Sequence, residues 1–219
     1  ADVYDPESDS WQPLANMGCG RLLFASAAAG GKIYAIGGET DDGVSVATVE
    51  AFDPLLGAWA EVASMSVGRR LHAAVVVDGK IYVIGGVDPG AHESDSVEVY
   101  DPQANSWKQM ASLPRARYRH AAAAMGGKIY VCGGSFGNVH TSTLIVFDLQ
   151  ANTWTELASM GMARAGHSSA VTGGKLYVFG GGVTDGPTAS VEAYDPISNT
   201  WAQVSDLTGG REDFVAVAL

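Results

Sequence analysis

Five tryptophans mark this chain off at almost equal intervals. Trp11, Trp59, Trp107, Trp154 and Trp201 stand 48, 48, 47 and 47 residues apart. Glycine pairs keep the same step at Gly37-Gly38, Gly85-Gly86, Gly133-Gly134 and Gly180-Gly181. So do the aromatic–Asp pairs Tyr4-Asp5, Phe52-Asp53, Tyr100-Asp101, Phe147-Asp148 and Tyr194-Asp195. Several residue types locked to one period are incompatible with a single irregular core. A unit of this length cannot bury its own apolar face, so neighbouring copies must cover one another in an array or a propeller.

Residues 78–107 display most of one unit. An Asp78-Gly79 turn leads into the apolar run 81–84, which Gly85-Gly86 ends. A polar loop follows, then the run 97–100 and an Asp101-Pro102 turn before Trp107. With the small-residue and valine run 73–77 ahead of it, the unit reads as four strands, a to d. Strands a and b are joined by Gly30-Gly31, Asp78-Gly79, Gly126-Gly127 and Gly173-Gly174, dipeptides suited to positive φ in tight hairpins. Strands c and d are joined by Asp-Pro turns, with Asp148-Leu149 as the exception in the third unit. No unit carries a sustained helical period. The expected fold is therefore one all-β domain over residues 1–219, a propeller of four-stranded antiparallel blades.

Four blades are complete, at residues 18–65, 66–113, 114–160 and 161–207. Residues 1–17 supply strands c and d of a split blade, and residues 208–219, ending FVAVAL, supply its strand a. Strand b of that blade is missing, so the chain is expected to be part of a longer protein or assembly. The glycine pair after strand b is expected to admit a bulky ring from the neighbourhood, the repeat's Tyr or Trp.

Composition narrows the partners. A net charge of −11 argues against nucleic acid and anionic membrane surfaces, which need a basic face. Nearly half the residues are hydrophobic, enough for a packed core, yet no apolar run is long enough to span a bilayer. The two cysteines, Cys19 and Cys132, occupy different places in their units, which excludes a disulfide framework and points to a reducing, cytoplasmic setting.

The motifs IYVIGG, VEVYDP, Asn-Ser-Trp or Asn-Thr-Trp, and an arginine ahead of strand a recur in register along essentially the whole chain. They resemble the kelch repeat. That resemblance implies a β-propeller, and it is closest to the propellers of BTB- or F-box-type ubiquitin-ligase substrate adaptors. It also implies two alternatives: a kelch-type lyase, epimerase or oxidase working at the channel mouth, or a cytoskeletal scaffold.

All eight arginines lie between strand d of one unit and strand a of the next. Arg21, Arg69, Arg117, Arg164 and Arg211 are periodic, while Arg70, Arg115 and Arg119 are not. Three residues after each periodic arginine stand Phe24, His72, His120, His167 and Phe214. In a four-stranded meander these segments share one face with the b–c loops, residues 39–48, 87–96, 135–143 and 182–190. Such a circle of guanidinium groups can clamp blades by bonding carbonyls and carboxylates, or recognise acidic peptides. The non-periodic arginines are less needed by the fold, so they are the better binding candidates. His72, His120 and His167 complete the expected partner-binding set. Two of the five equivalent positions are Phe and no carboxylate accompanies all three histidines, so no metal or cofactor is expected. The breaks in the repeat, Cys132, Ile145 and Leu149, are apolar and supply no catalytic constellation. The chain reads as a module that binds a protein or peptide bearing acidic residues, and not as an enzyme.

Two free thiols per chain are expected on titration under denaturing, non-reducing conditions. Fewer than two would contradict the assignment of Cys19 and Cys132 to unconnected sites.

Overall fold

The structure, a computed structural model, describes residues 1–217. Its regular elements among those residues are all strands. A hairpin of β1 (Asp2–Asp5) and β2 (Ser10–Pro13) comes first. The first four-stranded sheet holds β3 (Ala25–Ala29), β4 (Lys32–Ile36), β5 (Val49–Asp53) and β6 (Ala58–Val62). The second holds β7 (Ala73–Val77), β8 (Lys80–Ile84), β9 (Val97–Asp101) and β10 (Ser106–Gln109).

The third sheet begins with β11 (Ala121–Met125) and β12 (Lys128–Cys132). Its b–c loop folds into a short hairpin of β13 (Ser135–Phe136) and β14 (Val139–His140), and β15 (Leu144–Asp148) and β16 (Thr153–Leu157) finish the sheet. The fourth repeats this plan with β17 (Ser168–Thr172), β18 (Lys175–Phe179), the loop hairpin β19 (Gly182–Val183) and β20 (Gly186–Pro187), then β21 (Val191–Asp195) and β22 (Thr200–Gln203).

Each sheet is an antiparallel meander in sequence order, and the first strands β3, β7, β11 and β17 pack side by side. These are the blades of a β-propeller. The second and third strands of each blade are buried over most of their length because both their faces are covered. In β8 every residue after Lys80 is buried, where a sheet with one wet face would alternate. The core accordingly lies between blades: Tyr34, Ile36 and Val49 of the first pack against Ile81, Val83 and Tyr100 of the second.

A polar latch accompanies that packing. Trp107 packs against Tyr100 at a tilt of 37°, with ring centroids 5.0 Å apart, and its indole N–H donates to Ala63 O of the preceding blade at 2.7 Å. Asn105, in the left-handed region at φ 47°, accepts from Ala63 N at 2.9 Å and from the Tyr100 hydroxyl at 2.8 Å. The same indole bond recurs from Trp59 to Ala15, Trp154 to Ala111 and Trp201 to Ala158. At the same end of each blade, Lys32, Lys80, Lys128 and Lys175 pair with Asp53, Asp101, Asp148 and Asp195 of their own blades.

Two expectations are corrected. The rings over the glycine pairs belong neither to tyrosine nor to tryptophan. A Cβ on Gly85 would lie 2.6 Å from Arg117 O and 2.9 Å from the His120 ring, and one on Gly86 would lie 2.8 Å from His72 Cβ. The lead-in segments are what need the space: the next blade's arginine carbonyl and ring cross at the first glycine, and the blade's own lead-in crosses at the second. The second correction concerns the C-terminus. Residues 214–217 form no strand, and among the described residues no strand pairs with them. Ala216 N donates instead to Ser168 Oγ at 2.8 Å. The last two residues of FVAVAL lie outside the described residues.

Asn105→Ala removes an acceptor shared by two donors and puts a side chain without polar atoms at positive φ. It should lower stability by about 1–3 kcal/mol in urea denaturation. Asn105→Gly, which relieves only the backbone conformation, should recover part of that loss.

Candidate functional site on the loop face

Burial divides the arginines into two groups. Arg21, Arg69, Arg117 and Arg164 are at most 6% exposed. Arg69 shows what they do. Its Nη1 donates to Gly85 O and Ser96 O at 3.1 and 3.0 Å, and its Nη2 reaches Glu98 Oε1 at 2.7 Å. Its own carbonyl accepts from Gly38 N of the preceding blade at 2.8 Å. Arg21–Glu50 and Arg164–Glu192 repeat the ion pair at 2.6 and 2.7 Å. The binding role expected for these residues is corrected for Arg21, Arg69 and Arg164. Their Nη donors are committed within the blade, and their side chains are all but closed to solvent.

Each glutamate also accepts from the main chain entering its blade: Glu50 from Gly18 N, Glu98 from Ser66 N and Glu192 from Gly161 N. The third blade departs at both positions. Ile145 stands where the glutamate should be, and Pro114, which has no N–H, stands where the donor should be. Among the described residues the Arg117 side chain bonds only Gly133 O at 3.1 Å and Thr143 Oγ1 at 3.2 Å, both through Nη1. Sequence reading noticed Ile145 as an apolar break but missed its consequence, an arginine buried without its carboxylate.

Of the non-periodic arginines, two are internally engaged. Arg70 bridges to Glu39 at 2.9 Å and to Ser45 Oγ at 2.9 Å, tying adjacent blades together. Arg119 reaches Asp213 and Glu212 at 2.6 and 3.0 Å. Arg115 is exposed, lies over the Phe136 ring at 4.1 Å and makes no ion pair among the described residues. Arg211, though periodic, is exposed and stands 5.9 Å from the Phe214 ring, likewise without an ion pair.

The channel mouth is built from main chain. Leu23, Leu71, Arg119, Gly166 and Asp213 all have positive φ, and each N–H donates to the preceding carbonyl: Leu71 to Leu23, Arg119 to Leu71, Gly166 to Arg119 and Asp213 to Gly166, at 2.8–3.0 Å. A Cβ on Gly166 would sit 2.7 Å from Asp213 Oδ1 and 2.8 Å from Arg119 Nη2, so a glycine there makes room for that ion pair. A cavity of ≈ 350 Å³ opens at this mouth beside His72, His120 and His167.

Those histidines are neutral packing groups in the blade junctions. Burial, with the Arg69 guanidinium adding to it, pushes His72 down to about 3. Burial and Arg164 do the same to His167, also to about 3, and burial and Arg117 hold His120 well below its ordinary value. Burial pushes the Cys132 thiol up to about 12. Among the described residues no cluster of His, Cys, Asp and Glu is arranged to hold a metal ion.

The larger cavity, ≈ 650 Å³, lies away from this mouth, between the lead-in to the third blade and its b–c hairpin. Arg115, Arg117, Phe136, His140, Thr143 and Ile145 line it. Its counterpart in the first blade, ≈ 480 Å³, is lined by both Arg21 and Glu50. The volume matches sites that take small ligands or single side chains.

Blades latched in this way, with loops of differing sequence on one face, define a β-propeller of the repeat-built class. Residues 72–213 match the KLHDC2/KLHL20/DRC7 Kelch-repeats domain, and residues 20–66 match the Kelch motif. The chain belongs to the kelch-repeat family. No curated protein matches it as a relative. The solved structure of YjhT superposes with a TM-score of 0.85 at 18% identity, over 95% of this chain and 77% of that one. At that identity the likeness is one of fold.

The histidines make stability depend on pH with a definite sign. Unfolded histidines take up protons near 6.5 that the buried rings refuse until about 3, so stability should be full above 6.5 and fall as the pH drops toward about 3. The depressed carboxylates of Asp53, Asp101, Asp148 and Asp195 act in the same direction at lower pH. Replacing His72, His120 and His167 with Phe, the residue at the same place in Phe24 and Phe214, should flatten the slope just below 6.5. Urea midpoints measured across that range check this, and an unchanged slope would acquit the histidines.

Proposed function

We propose that this propeller is a non-catalytic recognition module whose loop face binds a peptide or protein carrying acidic residues. The observation that carries the reading is Arg115: in a chain of net charge −11, an exposed arginine without an ion pair among the described residues stands on the rim of the 650 Å³ loop-face cavity. Arg211 is a second exposed cation on this face. The loops between second and third strands differ in each blade, while the scaffold under them repeats. Surface loops on a rigid frame are where binding groups usually sit. His72, His120, His167 and Cys132 are neutral over the ordinary pH range and packed into blade junctions. The resemblance to substrate adaptors is consistent with a recognition domain whose catalytic or assembly partner is another domain or chain.

Arg70 and Arg119, two of the three non-periodic arginines, are engaged in ion pairs that join blades, so Arg115 is the cleaner probe. On an array of short peptides of graded acidity, binding should rise with Asp and Glu content and weaken as salt increases. Arg115→Glu should weaken the acidic spots about tenfold or more while leaving the melting temperature within a few degrees. Binding indifferent to peptide charge, salt and this substitution would sink the reading.

A further inference from the structure

The third blade breaks the repeat in a coordinated way. In the first, second and fourth blades one glutamate does two jobs: it neutralises the buried arginine, and it accepts an N–H from the chain entering the blade. Pro114 removes that N–H and Ile145 removes the carboxylate. The backbone is therefore satisfied without the glutamate. The guanidinium is not. Arg117 is 4% exposed, and its Nη2, which goes to glutamate in the other three blades, has no hydrogen-bond partner among the described residues. A buried cation without its counter-ion is costly, and the cost is recovered when a carboxylate arrives.

The space for that carboxylate exists. Arg117 lines the 650 Å³ cavity together with Thr143, Ile145 and, at the rim, Arg115 stacked on Phe136. His140 faces the same cavity, and its Nδ1 lies 2.9 Å from Ser135 Oγ. Glu156, exposed on β16 opposite Ile145, also lines the cavity but makes no ion pair with Arg117. In the first blade the matching cavity is smaller and its arginine is already bonded to Glu50.

We infer that Arg117 and the cavity before it form a carboxylate slot, in which one acidic group of a ligand takes the place of the glutamate that Ile145 displaced. Nη2 donates to the incoming carboxylate while Nη1 stays on Gly133 O and Thr143 Oγ1. Arg115 adds a second cation at the rim, and Ile145, Phe136 and Val139 cover the apolar stem that carries the acid. The slot is separate from the channel mouth, where Arg119 already has Asp213 and Glu212. It deepens the binding reading above, on which it rests, by naming the group recognised and the residue that recognises it.

The test uses the whole chain labelled with ¹⁵N and two probes, a capped leucine–glutamate dipeptide and its leucine–glutamine counterpart. The glutamate probe should shift the Arg117 side-chain signal and bind about tenfold or more tighter than the glutamine probe, as a charge-assisted bond in a buried setting requires. Free isovalerate forms a third arm. If it binds more tightly than the dipeptide the slot takes small acids, and if less tightly it takes acidic side chains. Ile145→Glu rebuilds the repeat's own pair, and it should abolish the preference while melting at or above the wild-type temperature. Ile145→Val, which leaves the slot open, should keep the preference. Should Ile145→Glu fail to fold, Arg117→Met carries the test by losing the preference. Equal binding of the two dipeptides, or full glutamate binding by Ile145→Glu or Arg117→Met, overturns the slot. Salt-sensitive capture of acidic peptides by the loop face would survive that result, so the two readings fail separately.

Discussion

One residue per blade joins the main chain of its neighbour to the interior of its own sheet. The Arg69 carbonyl receives Gly38 N of the first blade, while its guanidinium holds Gly85 O, Ser96 O and Glu98 of the second. The glycine pair is the complement of this arrangement. It leaves room for the arginine's carbonyl and for the histidine or phenylalanine three residues later. Removing one partner of such a buried pair leaves an unpaired charge, at a cost of about 3–5 kcal/mol. This interaction fixes how the lead-in segments cross the top of each blade, and so where the variable loops stand.

The opposite edge of each blade is held by different chemistry. The indole latches and the asparagine acceptors knit a strand-d turn to the preceding blade, and the lysine–aspartate pairs close each blade on itself. Those lysine pairs are about half exposed, so salt screens them and they contribute little. The buried arginine pairs and the interleaved aromatic core carry the order. A repeat protein can therefore vary its loops freely, provided the lead-in arginine and the turn residues stay.

Departures from the repeat then acquire meaning. Loss of a glutamate beside a retained buried arginine changes local electrostatics more than the exchange of one apolar loop residue for another. With Pro114 at the entry, the backbone has no N–H there that needs the glutamate, while the guanidinium remains. Arg70 and Arg119 depart in the other direction. They are additions to the repeat that found carboxylates within the chain, Glu39 for one and Asp213 with Glu212 for the other.

The period of 47–48 residues, the hairpin dipeptides and the short apolar runs determined the strands and the propeller by local chemistry, because turns and strands depend on near neighbours in the chain. The sequence also placed the arginines in the segments entering each blade. Which of them are buried was decided only by the tertiary structure, since that depends on carbonyls 16 and 27 residues away and on a glutamate 29 residues away, as for Arg69. Periodicity alone could not distinguish Arg117, which lacks its carboxylate, from Arg69, which has one. Nor could it show that the non-periodic Arg119 would find its partner 94 residues further on, across the channel mouth. Pairing of charges is a matter of distance in space, and only the folded chain sets those distances.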